Sequence, residues 1–312
     1  MSALDISNKV ISLEAAVSLI NNGDKTALGG ALSLREPISL VREIIRQNIQ
    51  DLHIIGNAHG IDVDMLCGAG SIGTAEVTYV GFEFDFGIAL NYRKVCESGQ
   101  VKVLENNCVT LLNQLRASAF GLSYVAQKSF AGSEIIKLHP EFKVMESPFN
   151  GENVVLVPPM RPDVALIHAQ YADTLGNIRI EEPFASDIIL ARASEKVIVS
   201  AEKIISTEEM ISLKPNIPYF EITAVVEAPY GAHPTSCYPN YAYDREHMAE
   251  YVTATKGGLE EFKKQYLDKY VYGVTNEEYM NLIGGKEKTK RIEGWQGSIE
   301  EWKEIFTVGD VV

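Results

Sequence analysis

Only four cysteines occur in the 312 residues, Cys67, Cys96, Cys108 and Cys237, widely spaced and without a CxxC pair. That scarcity argues against a disulfide framework and gives no structural zinc signature. Positive charge is scarce too: 28 Lys and Arg stand against 42 Asp and Glu, a formal net charge of −14. Such a balance disfavours a surface that must neutralise phosphate polyanions, so no nucleic-acid partner is expected. No uncharged apolar run approaches the roughly 20 residues of a membrane-spanning helix, and Glu14 interrupts the leading apolar stretch Val10–Ile20. The expectation is a cytoplasmic chain with no membrane partner. No catalytic triad, P-loop or metal cluster is legible. What is present, 46% hydrophobic and 22% charged residues, is the composition of a globular chain long enough to bury a large core without staples.

The hydrophobic pattern alternates between two periods. Ser12 precedes Leu13, Ala16, Val17 and Ile20, a capped amphipathic helix. Thr26–Leu28 then reads as a strand closing on Gly29-Gly30, followed by Pro37 and the helical set Ile38, Val41, Ile44, Ile45. The order repeats. Strands are expected at Leu52–Ile55, ending on Gly56-Asn57, at Glu76–Val80, ending on Gly81, and at Val101–Leu104; helices are expected over Phe86–Glu97 and Val109–Phe120. Glu146–Glu152 reads as a turn between strands Phe142–Met145 and Val154–Val157, and Val164–His168, Ile178–Ile180, a helix near Ala185–Ala193, Lys196–Ser200 and Ile222–Val226 continue the pattern.

Strands alternating with helices predict an α/β fold: an open, largely parallel sheet with helices on both faces. The turns at Gly30, Asn57, Gly81 and Asn107 should then gather along its carboxyl edge, where such sheets bind ligands. Residues 1–243 are assigned to this domain. Residues 244–312, with the charged and sparsely apolar Glu260–Tyr270 and the Trp302 region, are assigned to a helical tail packed on the same domain or on a partner.

Three motifs test poorly as chemistry. Gly68-Ala69-Gly70-Ser71-Ile72-Gly73 matches GxGxxG, but Ala75–Val80 after it reads as a strand where a dinucleotide site needs a helix. His233 and Cys237 are spaced as helical metal ligands, yet Gly231 and Pro234 make the segment a loop, so packing is the expected role. Cys108, after Glu105-Asn106-Asn107 at a strand end, is either a small hydrophobe or a thiol at a helix start. Glu83, just after Gly81, is a carboxylate at the sheet edge.

The residues Asn22 to Pro37, with Gly29-Gly30 and Pro37 in register, resemble the first signature of family I CoA-transferases, from which Thr26, Ala31 and Arg35 depart. Thr78-Tyr79-Val80-Gly81 followed by Glu83 is similar to their Ser-Tyr-Val-Gly-Glu-Asn segment. Pro162–Gln170 and Ala228–Tyr238 resemble the A (alpha) subunit of the glutaconate-type branch. The likeness runs from Leu13 to about Tyr270, with matching order and spacing.

The resemblance implies the open sheet shared by CoA-transferases and sugar-phosphate isomerases, and a B subunit of similar fold, paired as a dimer of heterodimers. It implies that the nucleophile is a glutamate in a Ser-Glu-Asn-Gly setting on that partner. This tetrapeptide does not occur here, so no catalytic residue is assigned to this chain. Coenzyme A thioester is then substrate, with a small carboxylic acid, and neither a permanent cofactor nor a metal is implied. Asn57 corresponds to an oxyanion-holding asparagine, and a family glutamine falls at Asn107 or Cys108. The substrate and oxyanion set is therefore Gly29, Gly30, Asn57, Gly81, Glu83, Asn107 and Cys108. A ring-opening acyl-CoA hydrolase subunit, with Glu105 as working carboxylate, is the alternative, and a small-ligand-binding module of the same fold is a second.

Overall fold

The computed structural model describes residues 8–294 except 129 and 131. The chain opens with helix α1 (Leu13–Val17), capped by Ser12, whose side chain accepts from the Ala15 amide. It continues through β1 (Lys25–Leu28), α2 (Ile38–Arg46), β2 (Leu52–His59), α3 (Ile61–Ala69) and β3 (Ile72–Val80). Next come α4 (Glu83–Phe86), α5 (Leu90–Glu97), β4 (Lys102–Val103), α6 (Cys108–Ala119) and β5 (Val125–Gln127). Strands β6 (Lys143–Glu146), β7 (Asn153–Val157), β8 (Val164–Asp173) and β9 (Ile178–Arg179) lead to α7 (Asp187–Ala193), β10 (Lys196–Ile205), α8 (Thr207–Leu213) and β11 (Ala224–Glu227). Helices α9 (Arg245–Lys256), α10 (Leu259–Phe262), α11 (Asp268–Tyr270), α12 (Asn276–Leu282) and α13 (Gly285–Glu293) follow.

The main sheet has the order β11-β10-β8-β1-β2-β3-β4, and β9 pairs beside β8. Its path is parallel throughout, and β9 alone runs antiparallel. Side-chain alternation feeds two cores, one on each face. Leu28, Ile54, Leu166 and Ile198 point to the side covered by α2, α3 and α9, whereas Ala27, Ile55, Ala165, Ile167 and Val199 point to the side of α6 and α7. A strand buried on both faces needs this continuous apolar run, and each buried Leu, Ile or Val side chain in it contributes about 1.5–3 kcal/mol.

Several expectations are corrected. Strand β2 does not stop at Ile55 but runs to His59. Gly56 stays in the sheet because the His59 ring occupies the space its Cβ would need, at 2.3 Å, and a glycine inside a strand marks such a close approach. The helix expected over Phe86–Glu97 begins only at Leu90; Phe86 ends a separate short helix that breaks off at Gly87 with φ +69°. Strands β5, β7 and β6 form a separate three-stranded antiparallel sheet, with the turn read at Glu146–Glu152 joining β6 to β7. The helices after Asp244 pack on the sheet: Tyr251, Phe262, Tyr266, Leu267, Tyr270 and Tyr279 are buried in the same core as Leu40 and Ile44. The Trp302 region lies outside the described residues. GxGxxG spans the end of α3 and the start of β3, so helix precedes strand, the reverse of a dinucleotide turn. His233 and Cys237 are buried; His233 Nδ1 lies 2.7 Å from the Tyr279 hydroxyl and Nε2 lies 2.9 Å from Asp244. They are loop-packing residues.

Candidate active site at the carboxyl edge of the sheet

The parallel strands β1, β2 and β3 end side by side, and the chain leaves each by a short connection. After β1, Gly29 and Gly30 leave no room for side chains. A Cβ on Gly29 would lie 2.5 Å from Asp187 Oδ1; one on Gly30 would lie 2.5 Å from the Arg35 carbonyl oxygen, at φ +75°. This is a backbone region that only glycine enters freely. The Gly30 N–H donates to Asp187 Oδ1 at 2.9 Å. Asp187 Oδ2 in turn receives Arg35 Nη2 at 2.8 Å, with both side chains fully buried. Arg35 also donates to the carbonyls of His168 (3.2 Å) and Pro183 (2.7 Å). Arg35, a departure from the family signature, is thus the bolt that fixes the turn to β8 and α7.

After β2, Glu36 caps the start of α3. Its carboxylate accepts from the Gly60 amide at 2.7 Å and the Asp62 amide at 3.1 Å. Burial, with Asp62 beside it, holds the Glu36 carboxyl well above the ordinary carboxylate range. Asp62 Oδ2 lies 2.7 Å from His59 Nδ1. Glu36, His59 and Asp62 have ligand-type atoms within 4.8 Å of one another, as do His168, Glu202 and Cys237. In the first group the carboxylates already accept backbone amides; in the second, His168 is bonded at one nitrogen to Ser200 and at the other to Glu202. Both read as structural networks.

The predicted site residues divide between the two faces of this edge. On the α6 face, Thr78 Oγ1 lies 3.0 Å from Asn57 Oδ1 and 3.3 Å from Cys108 Sγ, and also bonds the Asn57 carbonyl. Asn57 is half-buried inside β2, and Cys108 is exposed as the first residue of α6. Asn107 caps that helix: its Oδ1 accepts from the Thr110 amide at 2.8 Å. Asn106, not predicted, is the buried amide, donating to Glu76 and Gln114 at 3.0 Å each. Glu105 is exposed, with its carbonyl 2.7 Å from His139 Nε2. On the α3 face, Gly81 and Glu83 line a recess with Leu32, Ser33, Phe82 and Tyr243. Thr78, Arg35 and Glu36 were missed as site-builders; for Thr78 the signal was the Thr-Tyr-Val-Gly run itself, and Arg35 and Glu36 sit next to Pro37 in a turn whose long-range contacts leave no trace in spacing.

A parallel sheet with this order, a glycine turn after its first strand and amide and hydroxyl groups at its carboxyl edge match a known family. The family described as Coenzyme A transferase matches residues 10–228. The chain belongs to the coenzyme A transferase family. The A (alpha) chain of glutaconate CoA-transferase from Acidaminococcus fermentans is 34% identical over 299 residues, covering 89% of this chain and 92% of that one. The solved glutaconate coenzyme A-transferase from the same organism superposes with a TM-score of 0.86 at 32% identity, over 91% of this chain and 95% of that one. The structure of a variant of the decarboxylase AibA/AibB matches with a TM-score of 0.76 at 29% identity, over 84% and 99% of the two chains. An uncharacterized protein of Archaeoglobus fulgidus is 36% identical over 298 residues, and the alignment covers 93% of this chain but only 66% of that protein. Among the described residues, no helix of this coenzyme A transferase family member is long and apolar enough to cross a membrane.

Proposed function

We propose that this chain is the A-type member of a heteromeric CoA-transferase, moving CoA from an acyl-CoA to a small carboxylic acid. The observation that carries the reading is the corner made by Asn57, Thr78 and Cys108: an amide, a hydroxyl and a thiol converge there. Asn57 Oδ1 faces the Thr78 hydroxyl at 3.0 Å, so the Asn57 Nδ2 protons are the ones turned to hold a developing oxyanion. Preorganised donors of this kind act most strongly once water is excluded. The nucleophile is then a glutamate of a B-type partner. Its carboxylate attacks the thioester carbonyl, expelling CoA thiolate and leaving an acyl-glutamyl anhydride. The thiolate attacks the glutamyl carbonyl, releasing the first acid and forming a glutamyl-CoA thioester. A second acid reverses the sequence, so the energy of the thioester is kept and kinetics are ping-pong.

The fold match to a glutaconate CoA-transferase over 91% of the chain supports this reading. In it, the carboxyl edge faces the partner, two A–B pairs assemble together, and CoA thioester is substrate with no permanent cofactor. The test is to incubate the co-purified A and B chains with an acyl-CoA and a free acid while following acyl transfer and CoA release together. Transfer to the acid is the expected result; CoA release with no conversion of any acid would replace the transferase with an acyl-CoA hydrolase.

A further inference from the structure

Strand β3 carries Thr78 near one end and opens on a hollow at the other, about 20 Å away at roughly 3.3 Å per residue. The hollow lies where α3 ends and β3 begins, in the segment that matches GxGxxG. Its room for water is about 310 Å³, where a single water needs roughly 10–15 Å³, so a molecule of amino-acid size fits. Two glycines shape it. A Cβ on Gly68 would lie 2.4 Å from Phe262 Cε1, so α3 and α10 approach each other with no side chain between them. Gly70, the C-cap of α3 at φ +85°, has nothing within 4 Å of where its Cβ would stand, and the space beyond it stays open.

The lining divides by chemistry. Ile72, Val95 and Val101 are buried and Leu259 is half-buried, an apolar floor that rewards burial of an aliphatic group. At the rim stand one ammonium and one carboxylate, Lys263 and Glu260. Their contact is long, 3.3 Å, and the side chains are 39% and 85% exposed. Such a surface pair contributes little, so both groups are available to a ligand. Lys94 stays outside the lining: its Nζ packs over Gly258, 2.4 Å from where a Cβ would stand. The carbonyl end of α3, with its partial negative charge, adds to the acidic side. Lys263 also opens a π-turn, Lys263–Leu267, a form frequent at functional sites. A plain organic acid would meet Glu260 and the end of α3 with like charge, and a plain amine would meet Lys263. A molecule with both charges on one head group and an aliphatic body satisfies the whole lining.

We propose that this hollow binds an aliphatic α-amino acid of leucine size, its carboxylate on Lys263, its ammonium on Glu260 and the end of α3, and its side chain on Ile72, Val95, Val101 and Leu259. Such a site stands whether or not the carboxyl edge transfers CoA.

Calorimetric titration of the full-length chain tests it. L-leucine is the probe, and isocaproate and isoamylamine, which each lack one charge of leucine, are the controls. L-leucine is expected to bind saturably, and each control at least tenfold more weakly. Lys263→Glu should weaken L-leucine binding at least tenfold and Glu260→Gln severalfold. Gln100→Trp, on the exposed rim, should abolish it by filling the hollow, with the melt of the ligand-free chain preserved. No saturable heat with L-leucine, equal or tighter binding of either control, or a leucine affinity unmoved in all three variants overturns the proposal.

Discussion

The Gly29–Gly30 turn rests on an ion pair with no exposed surface, Arg35 with Asp187, and on carbonyl contacts reaching to β8 and Pro183. Across the same edge, Cys108 stands exposed, and its thiol meets the Thr78 hydroxyl at 3.3 Å. The first region is finished within this chain: its ion pair is closed around a backbone that tolerates no side chain. The second presents functional groups outward on a rigid strand and a helix start. Such a contrast fits a scaffold whose fixed half positions an open half for a surface supplied by another chain, since groups built on strands and helices keep their geometry before a partner arrives.

The comparison breaks first at Gly30. Gly30→Val places a side chain 2.5 Å from the Arg35 carbonyl oxygen in a positive-φ conformation, and the expected loss of stability exceeds about 4 kcal/mol. Urea unfolding of the purified chain measures it; a wild-type midpoint would mean that the turn gives way freely. Asp187→Ala strands Arg35 without its partner inside the protein and should cost about 3–5 kcal/mol, whereas a loss under about 1 kcal/mol would show the bolt to be ornamental. Replacing both residues by apolar ones of similar volume, Arg35→Met with Asp187→Leu, should recover part of that loss.

Effects on the open half should appear in rate, not stability. Asn57→Ala is expected to lower kcat of the assembled pair roughly 10²–10³-fold with the thermal melt preserved. An unchanged kcat would make Asn57 a strand residue and nothing more. Cys108→Ser and Glu105→Gln should each stay within about tenfold of the parent, or roughly 1.4 kcal/mol of barrier. Complete loss of CoA release in Glu105→Gln would move the working carboxylate into this chain.

Much of the fold could be read from periodicity, because strands buried on both faces and helices buried on one carry their environments in local spacing. The helix start at Ser12, the turn after Leu28 and the helix from Ile38 are of this kind. What escaped depends on distant neighbours. Gly56-Asn57 has the chemistry of a turn, yet pairing with β3 continues through it to His59 and Val80. The aromatic residues from Tyr251 to Tyr279 are diluted by charge along the chain and gathered only when α9, α10 and α12 pack. Asn57 and Cys108 stand around one hydroxyl, and Thr78 between them, like Arg35 beneath the glycine turn, emerges only once β2, β3, α6 and α7 are assembled.

The central claim is that this chain holds a fixed half of a shared site. It is tested most directly by assaying acyl-CoA-to-acid transfer with the isolated chain, with its isolated B-type partner, and with the two mixed. The account predicts no transfer by either chain alone and its appearance on mixing, with a radiolabelled CoA thioester trapped on a glutamate of the partner. Sustained transfer by this chain alone, purified to homogeneity, would contradict it.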